Sequence, residues 1–186
     1  MPKKLSEMSL EELWQLFPII LTEPQVHWPM WYAAKAKELL SLFPGSCVHH
    51  IGSTAIQGIY AKPIIDILME VPADKPLNDY KQPLAQIGWI CMAQGEHRLS
   101  FNQGYTENGF AEKVFHLHLR YTGDHDELYF RDYLNSHPDA AQTYQQLKLD
   151  LWPRFEHDRD GYTAAKADFV REYTLLGKQE YPHRYE

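Results

Sequence analysis

Cysteine, positive charge and long apolar runs are all scarce in this sequence. The two cysteines, Cys47 and Cys91, stand far apart and form no CxxC pair. They read as reduced structural thiols, which suits the cytoplasm. At 186 residues the chain can bury about 70% of its unfolded surface, so it needs neither a disulfide nor a structural metal to fold. Lys and Arg number 18 against 25 Asp and Glu, a net charge of −7. That balance lacks the electrostatic footprint of a general nucleic-acid binder, although a local basic patch can still hold a phosphate. No run of about 18 apolar residues occurs, and Met1-Pro2-Lys3-Lys4 leads into Glu-rich sequence instead of an apolar leader core. Neither a membrane span nor a signal peptide is expected, and the chain reads as soluble and cytoplasmic. Internal repeats and low-complexity linkers are also missing. One domain over 23–186, preceded by a helical extension over 1–22, is the expected organisation.

The rest of the composition is ordinary for a globular protein, with 44% apolar and 23% charged residues. Five tryptophans read as core and helix-packing residues. Ten histidines supply groups that titrate near neutral pH and bind metals.

Periodicity and punctuation predict the elements. Ser9-x-x-Glu12 is a capping box that opens a short helix, which Pro18 ends. A second helix runs from about His27 to Leu42 and closes at Pro44-Gly45. Cys47 to Ile51 reads as a strand. Pro63 to Val71 is nearly continuous apolar sequence, the pattern of a strand buried on both faces. Residues 76–87 read as helix, and strands follow over 89–93, 98–102 and 113–120. Beyond Gly123 the chain turns helical over 126–134, 140–151 and 162–176. Breaks fall at His137-Pro138, Trp152-Pro153 and Asp160-Gly161, and Asp160 or Thr163 is the cap of the last helix. The order of helices, mixed sheet and helices predicts an α+β fold with an α/β-like core, the C-terminal helices covering the sheet.

Three constellations can carry chemistry. In the first, Gly52 and Ser53 end one strand and Asp66 lies in the middle of the next, with Lys62 between. Exposed backbone N–H groups at Gly52-Ser53 can hold phosphate, Lys62 can neutralise it, and a carboxylate at Asp66 can hold Mg²⁺. A strand–turn–strand connection with Asp66 ion-paired in the core fits the same residues. In the second, His116-x-His118 puts two imidazoles on one strand face, about 7 Å apart at the backbone. Two histidines packed beside the sheet satisfy that pattern equally. His50 is placed toward the same cleft and His49 away from it. In the third, Arg131, Lys148 and Lys166 on the late helices, with Arg98 and Arg120 on strands, are cations that a phosphate group needs. Arg131 and Lys148 are the candidates chosen. Solvated or ion-paired helix residues are the competing account of each. Tyr144 and Tyr162 read as packing residues.

The run from His50-Ile51-Gly52-Ser53-Thr54 through Gly58 to Lys62-Pro63-Ile64-Ile65-Asp66-Ile67 resembles the signature of the GrpB family, also catalogued as UPF0157. Phe115-His116-Leu117-His118-Leu119, Phe130-Arg131-Asp132-Tyr133-Leu134, Tyr144 with Leu147-Lys148, and Tyr162-Thr163-Ala164-Ala165-Lys166 resemble the family's later motifs. The similarity covers about Trp28 to Leu176. It implies the nucleotidyltransferase fold of the DNA polymerase β-like superfamily, whose members carry a G-S element, a D-x-D strand and a third acid. It also implies a divalent metal, Mg or Mn with Zn as an alternative, and a nucleotide or phosphoester substrate. Here Asp66 takes the first acid position and Leu68 the second, with Glu70 as a substitute ligand. The expected set is therefore Gly52, Ser53, Lys62, Arg131 and Lys148 for phosphate, Asp66, Glu70, His116 and His118 for metal, and Asp66, His116 and His118 for catalysis. Nucleotidyl transfer to an unknown acceptor is the leading expectation. A binding module without catalysis and a hydrolase built on the histidine pair are its rivals.

Overall fold

A computed structural model describes all 186 residues. Its sheet has five strands, β1 Cys47–Ile51, β2 Ile64–Val71, β3 Ile90–Gln94, β4 Arg98–Thr106 and β5 Gly109–Tyr121, in the order β1-β2-β5-β4-β3. β2 and β5 run parallel at its centre, and every other pairing is antiparallel. This is the expected mixed sheet, and its register decides which side chains meet.

β2 is buried on both faces, as its apolar run predicts. Its odd residues, Ile65, Ile67, Met69 and Val71, join Phe115, Leu117 and Leu119 of β5 in the main core. Trp28 and Leu39 of α2 (Trp28–Leu42) and Leu84 of α3 (Lys81–Gln86) cover that face. The even residues face the other way. There Leu68 and Ile51 pack against Leu128 of α4 (Asp126–Ser136). α5 (Pro138–Phe155) and α6 (Arg159–Glu180) complete this second layer. The sheet is thus sandwiched between two helical layers, each burying one of its faces.

The Ser9–Glu12 capping box forms as read and opens α1 (Leu10–Leu16). Three expectations change. α5 runs through Trp152-Pro153. Pro153 lies in the last turn, where its missing N–H deprives only one carbonyl of a partner, and Phe155 ends the helix. α6 starts earlier than expected because its cap is Asp158, which accepts the Gly161 N–H at 2.9 Å, and not Asp160 or Thr163. β4 and β5 extend past the expected ends to form a long hairpin. Cys47 and Cys91 are free and exposed, since both sit on the edge strands β1 and β3.

The segment after α1 is tied down on both sides. Ile19 N–H donates to Glu156 O at 2.8 Å, and the Trp152 indole donates to Ile19 O at 2.5 Å. Ile19 and Leu21 pack with Leu151 and Tyr162. No helix is long and apolar enough to cross a membrane.

A cationic pocket around Asp66

Parallel pairing sets Asp66 of β2 beside His116 of β5, with His118 one step on and on the same face. Both imidazoles reach a single carboxylate oxygen. His118 Nε2 is 3.2 Å from Asp66 Oδ1 and His116 Nδ1 is 3.4 Å from it. These three residues form the floor of a pocket of about 270 Å³. The Gly52–Thr54 turn makes one wall. The roof comes from Tyr144 and Lys148 of α5 and Arg159, Tyr162 and Lys166 of α6, and Lys62 closes the approach to β2.

Gly52 is dictated by this geometry. Its φ is 74° and ψ −173°, a region open essentially to glycine alone. A Cβ there would stand 2.6 Å from Asp66 Oδ2. The glycine of the G-S element therefore makes room for a carboxylate of the same chain.

His116 is buried, and burial pushes its pKa down against the pull of Asp66. Its Nε2 meets the Tyr105 hydroxyl at 2.6 Å and the Arg159 guanidinium at 3.5 Å, both of which donate. That leaves the ring proton on Nδ1, facing Asp66. Burial would raise the Asp66 pKa, but hydrogen bonds and charge from His116 and His118 overcome it and hold the carboxyl well below its ordinary range.

The pocket is dominated by cations. Lys62, Lys148, Arg159 and Lys166 line it, and Asp66 is its one carboxylate, already engaged by the histidines. Burial, with repulsion from Lys166 and Arg159, pushes the Lys62 ammonium down to about 7. Burial and two neighbouring lysines push Lys148 down to about 6. Burial brings Lys166 to about 8, Asp66 opposing and Arg159 adding to the shift. Lys148 is 1% exposed and donates to Tyr60 O at 2.5 Å, its ammonium lying over the Tyr144 ring. Lys62 and Lys166 both lie over the ring of Tyr162, whose buried hydroxyl has no partner. Four cations around one engaged carboxylate, with an orphan hydroxyl beside them, make an environment that an anion would relieve.

Two expected residues stand elsewhere. Glu70 is on the Asp66 face but two steps down the strand, where the Gly123 N–H donates to its Oε1 at 2.8 Å and His125 Nδ1 meets the same oxygen at 2.7 Å. His49 lies 3.5 Å from its other oxygen. Burial would raise the Glu70 pKa, but these partners bring it down to about 2. Arg131 donates to His50 O at 2.9 Å and to the Tyr185 hydroxyl at 3.0 Å, fastening β1 and the C-terminal tail to α4. The two β1 histidines also exchange expected roles. Antiparallel register pairs His50 with Ile67, on the α2 side, where it stacks on Tyr32 and bonds Thr54 Oγ1 at 2.9 Å. His49 pairs with Leu68 on the Asp66 side. Counting alternation along one strand does not fix which face a neighbouring strand presents.

Sequence reasoning overlooked Arg159 and passed over Lys166, Tyr144 and Tyr162 as pocket residues. For Arg159 the signal was the Asp158-x-x-Gly161 cap, which puts Arg159 at the first position of a helix aimed at the sheet.

The donor set does not fit a two-metal centre. Leu68 fills the second acid position and is fully buried, and the His116 Nδ1 proton points at Asp66. No group of three or more His, Cys, Asp and Glu side chains is arranged to hold an ion. A single hard cation escorting phosphates fits better, since such ions bind through one or two carboxylates plus substrate oxygens.

Comparison with known proteins identifies the family and the fold. The GrpB protein family model matches residues 18–175. A UPF0157 protein of Pseudomonas aeruginosa is 34% identical over 156 residues, covering 81% of this chain and 63% of that protein. The glutamate-rich protein GrpB of Alkalihalophilus pseudofirmus is 34% identical over 163 residues, covering 83% and 92%. The crystal structure of the conserved protein GrpB from Enterococcus faecalis superposes with a TM-score of 0.75 at 26% identity, over 87% of this chain and 99% of that one. More distantly, the MgGTP-bound poly(U) polymerase Cid1 superposes with a TM-score of 0.50 at 12% identity, over 75% of this chain and 44% of that one. That likeness carries the fold alone. The chain belongs to the GrpB family and has the nucleotidyltransferase fold.

Proposed function

We propose that this protein binds a nucleotide or similar phosphoester by its phosphoryl groups in the pocket at Asp66. The observation that carries the reading is the convergence of Lys62, Lys148, Arg159 and Lys166 on a pocket with one carboxylate. Arg159 offers a planar fork for two phosphate oxygens, and the lysines act as point charges. Gly52 and Ser53 edge the pocket with backbone, and the Tyr162 hydroxyl gives a further donor. Asp66 is the group that would hold a Mg²⁺ or Mn²⁺ ion arriving with the phosphates, and such an ion would shield their charge. His116 and His118 keep Asp66 ionised and aimed.

Leu68 in place of a second acid, and Glu70 committed to His125 and Gly123, favour binding over nucleotidyl transfer. The test is a thermal-shift series with tripolyphosphate and the four nucleoside triphosphates, with and without Mg²⁺ or Mn²⁺, alongside a pyrophosphate-release assay. Stabilisation that is lost in Lys148→Met, without pyrophosphate release, is the expected result. Pyrophosphate release that depends on Asp66 would establish transfer instead. No stabilisation by any phosphate compound would end the proposal.

A further inference from the structure

A second cavity lies next to the cationic pocket, and the two share Lys62 and Ile64 as a common rim. The sheet register explains why. Ile64 pairs with Val114 one step before Asp66 pairs with His116, so both cavities open on the same sheet face about 7 Å apart along the strands. The second cavity is of opposite character. Its volume is about 170 Å³, and Pro18, Ile20, Pro63, Val114 and Phe110 give it apolar walls.

Phe110 is the aromatic residue of its lining. Phe110 packs with Phe17 at 5.0 Å and with Tyr105 at 5.3 Å between ring centroids. Tyr105 in turn bonds His116 in the cationic pocket, so one side chain links the two sites. Ile20 is 42% exposed and Phe110 36%, which leaves apolar surface open at the cavity mouth. Besides Lys62 at the rim, one polar side chain stands among these walls, the Glu112 carboxylate, which only accepts hydrogen bonds.

The geometry points to a bipartite ligand: a nucleotide whose phosphates occupy the cationic pocket and whose base enters the Pro18–Ile20–Phe110 cavity. This deepens the phosphoryl-binding reading above and rests on it. The cavity is below the roughly 300 Å³ at which pockets take whole drug-sized molecules, so it suits a single ring system and not a long tail. The Phe110 ring face and the apolar C–H faces of Pro18 and Pro63 favour a planar heteroaromatic ring. Glu112 favours a ring that presents N–H donors. Lys62, at the shared rim, sits where the sugar would connect base to phosphates. The wall contributed by Pro18 and Ile20 belongs to the N-terminal segment that α5 anchors through Trp152.

Calorimetric titration separates the two claims. Tripolyphosphate and the four nucleoside triphosphates are titrated into the wild-type chain, Ile20→Ser and Phe110→Ala. At least one nucleoside triphosphate is expected to bind tenfold or more tightly than tripolyphosphate. Both variants are expected to bring it within about twofold of tripolyphosphate, whose own affinity stays unchanged. The exposure of Ile20 keeps that variant folded, which a thermal melt verifies. Equal affinity for tripolyphosphate and every nucleotide would overturn the inference while leaving the phosphoryl site standing. A nucleotide preference that survives both variants would also overturn it, because the base then lies elsewhere. Failure of tripolyphosphate itself to bind would remove both claims.

Discussion

Asp66 Oδ2 occupies the space that a side chain on Gly52 would need, with only 2.6 Å to a Cβ built there. The turn and the acid therefore form one unit. Gly52→Ala is expected to destabilise the protein by about 1–3 kcal/mol, because φ and ψ are those of glycine alone. The clash with Asp66 adds to this. Urea denaturation of Gly52→Ala, Asp66→Ala and the double variant would measure the coupling. Removing Asp66 should recover at least about 0.5 kcal/mol of the alanine penalty, and strict additivity would show that the two residues do not press on each other.

Anion binding should depend on pH through the lysines. An anion raises the ammonium pKa values from about 7 for Lys62, 6 for Lys148 and 8 for Lys166, so binding takes up protons. Affinity is then greatest below about pH 6, where all three are already charged, and falls as pH rises through 8. Sulfate, which does not titrate in this range, is the suitable probe. Affinity that is flat or rises with pH would count against these groups as ligands.

The same lysines set a stability cost in the unliganded protein. Lysines whose folded pKa lies below the unfolded value of 10.5 weaken the fold as pH falls from that value toward the folded pKa. Lys148→Met removes the charge and keeps the packing. It is expected to raise the melting temperature of the free protein at neutral pH while weakening tripolyphosphate binding at least tenfold. A variant that loses stability and keeps binding would reverse the assignment.

Glu70 is expected to matter for stability alone. Its partners hold it down to about 2 against an ordinary 4.5, so its contribution is complete above about pH 4.5 and is lost as pH falls toward 2. Glu70→Gln leaves His125 and the Gly123 N–H poorly matched and should cost about 1–3 kcal/mol. Denaturant melts should show that loss, and the tripolyphosphate affinity should remain within about twofold of wild type.

Much of this site can be read in the chain. The apolar run after Pro63 announces a central strand, and an acid within it demands a partner. Gly52, Lys62, Asp66, His116, His118 and Lys148 line one pocket. What the sequence hides is long-range register. Whether Glu70 joins Asp66 or His125 depends on how β2 and the turn at Gly123 meet, and no local pattern encodes that. Which of His49 and His50 faces the Asp66 side is set by register in the same way. Arg159 stayed hidden because the Asp160-Gly161 punctuation draws the expected helix start past the Asp158 cap. Tyr162 looks like packing and does pack, yet its unpartnered hydroxyl is visible only once α6 lies over the sheet.

The central claim is that the Asp66 pocket receives phosphoryl groups. Calorimetric titration of tripolyphosphate into the wild-type chain and into Lys148→Met at pH 7 tests it most directly. Saturable binding to the wild type, at least tenfold weaker in the variant, is the predicted result. No heat of binding to the wild type, or equal binding to both, would contradict it.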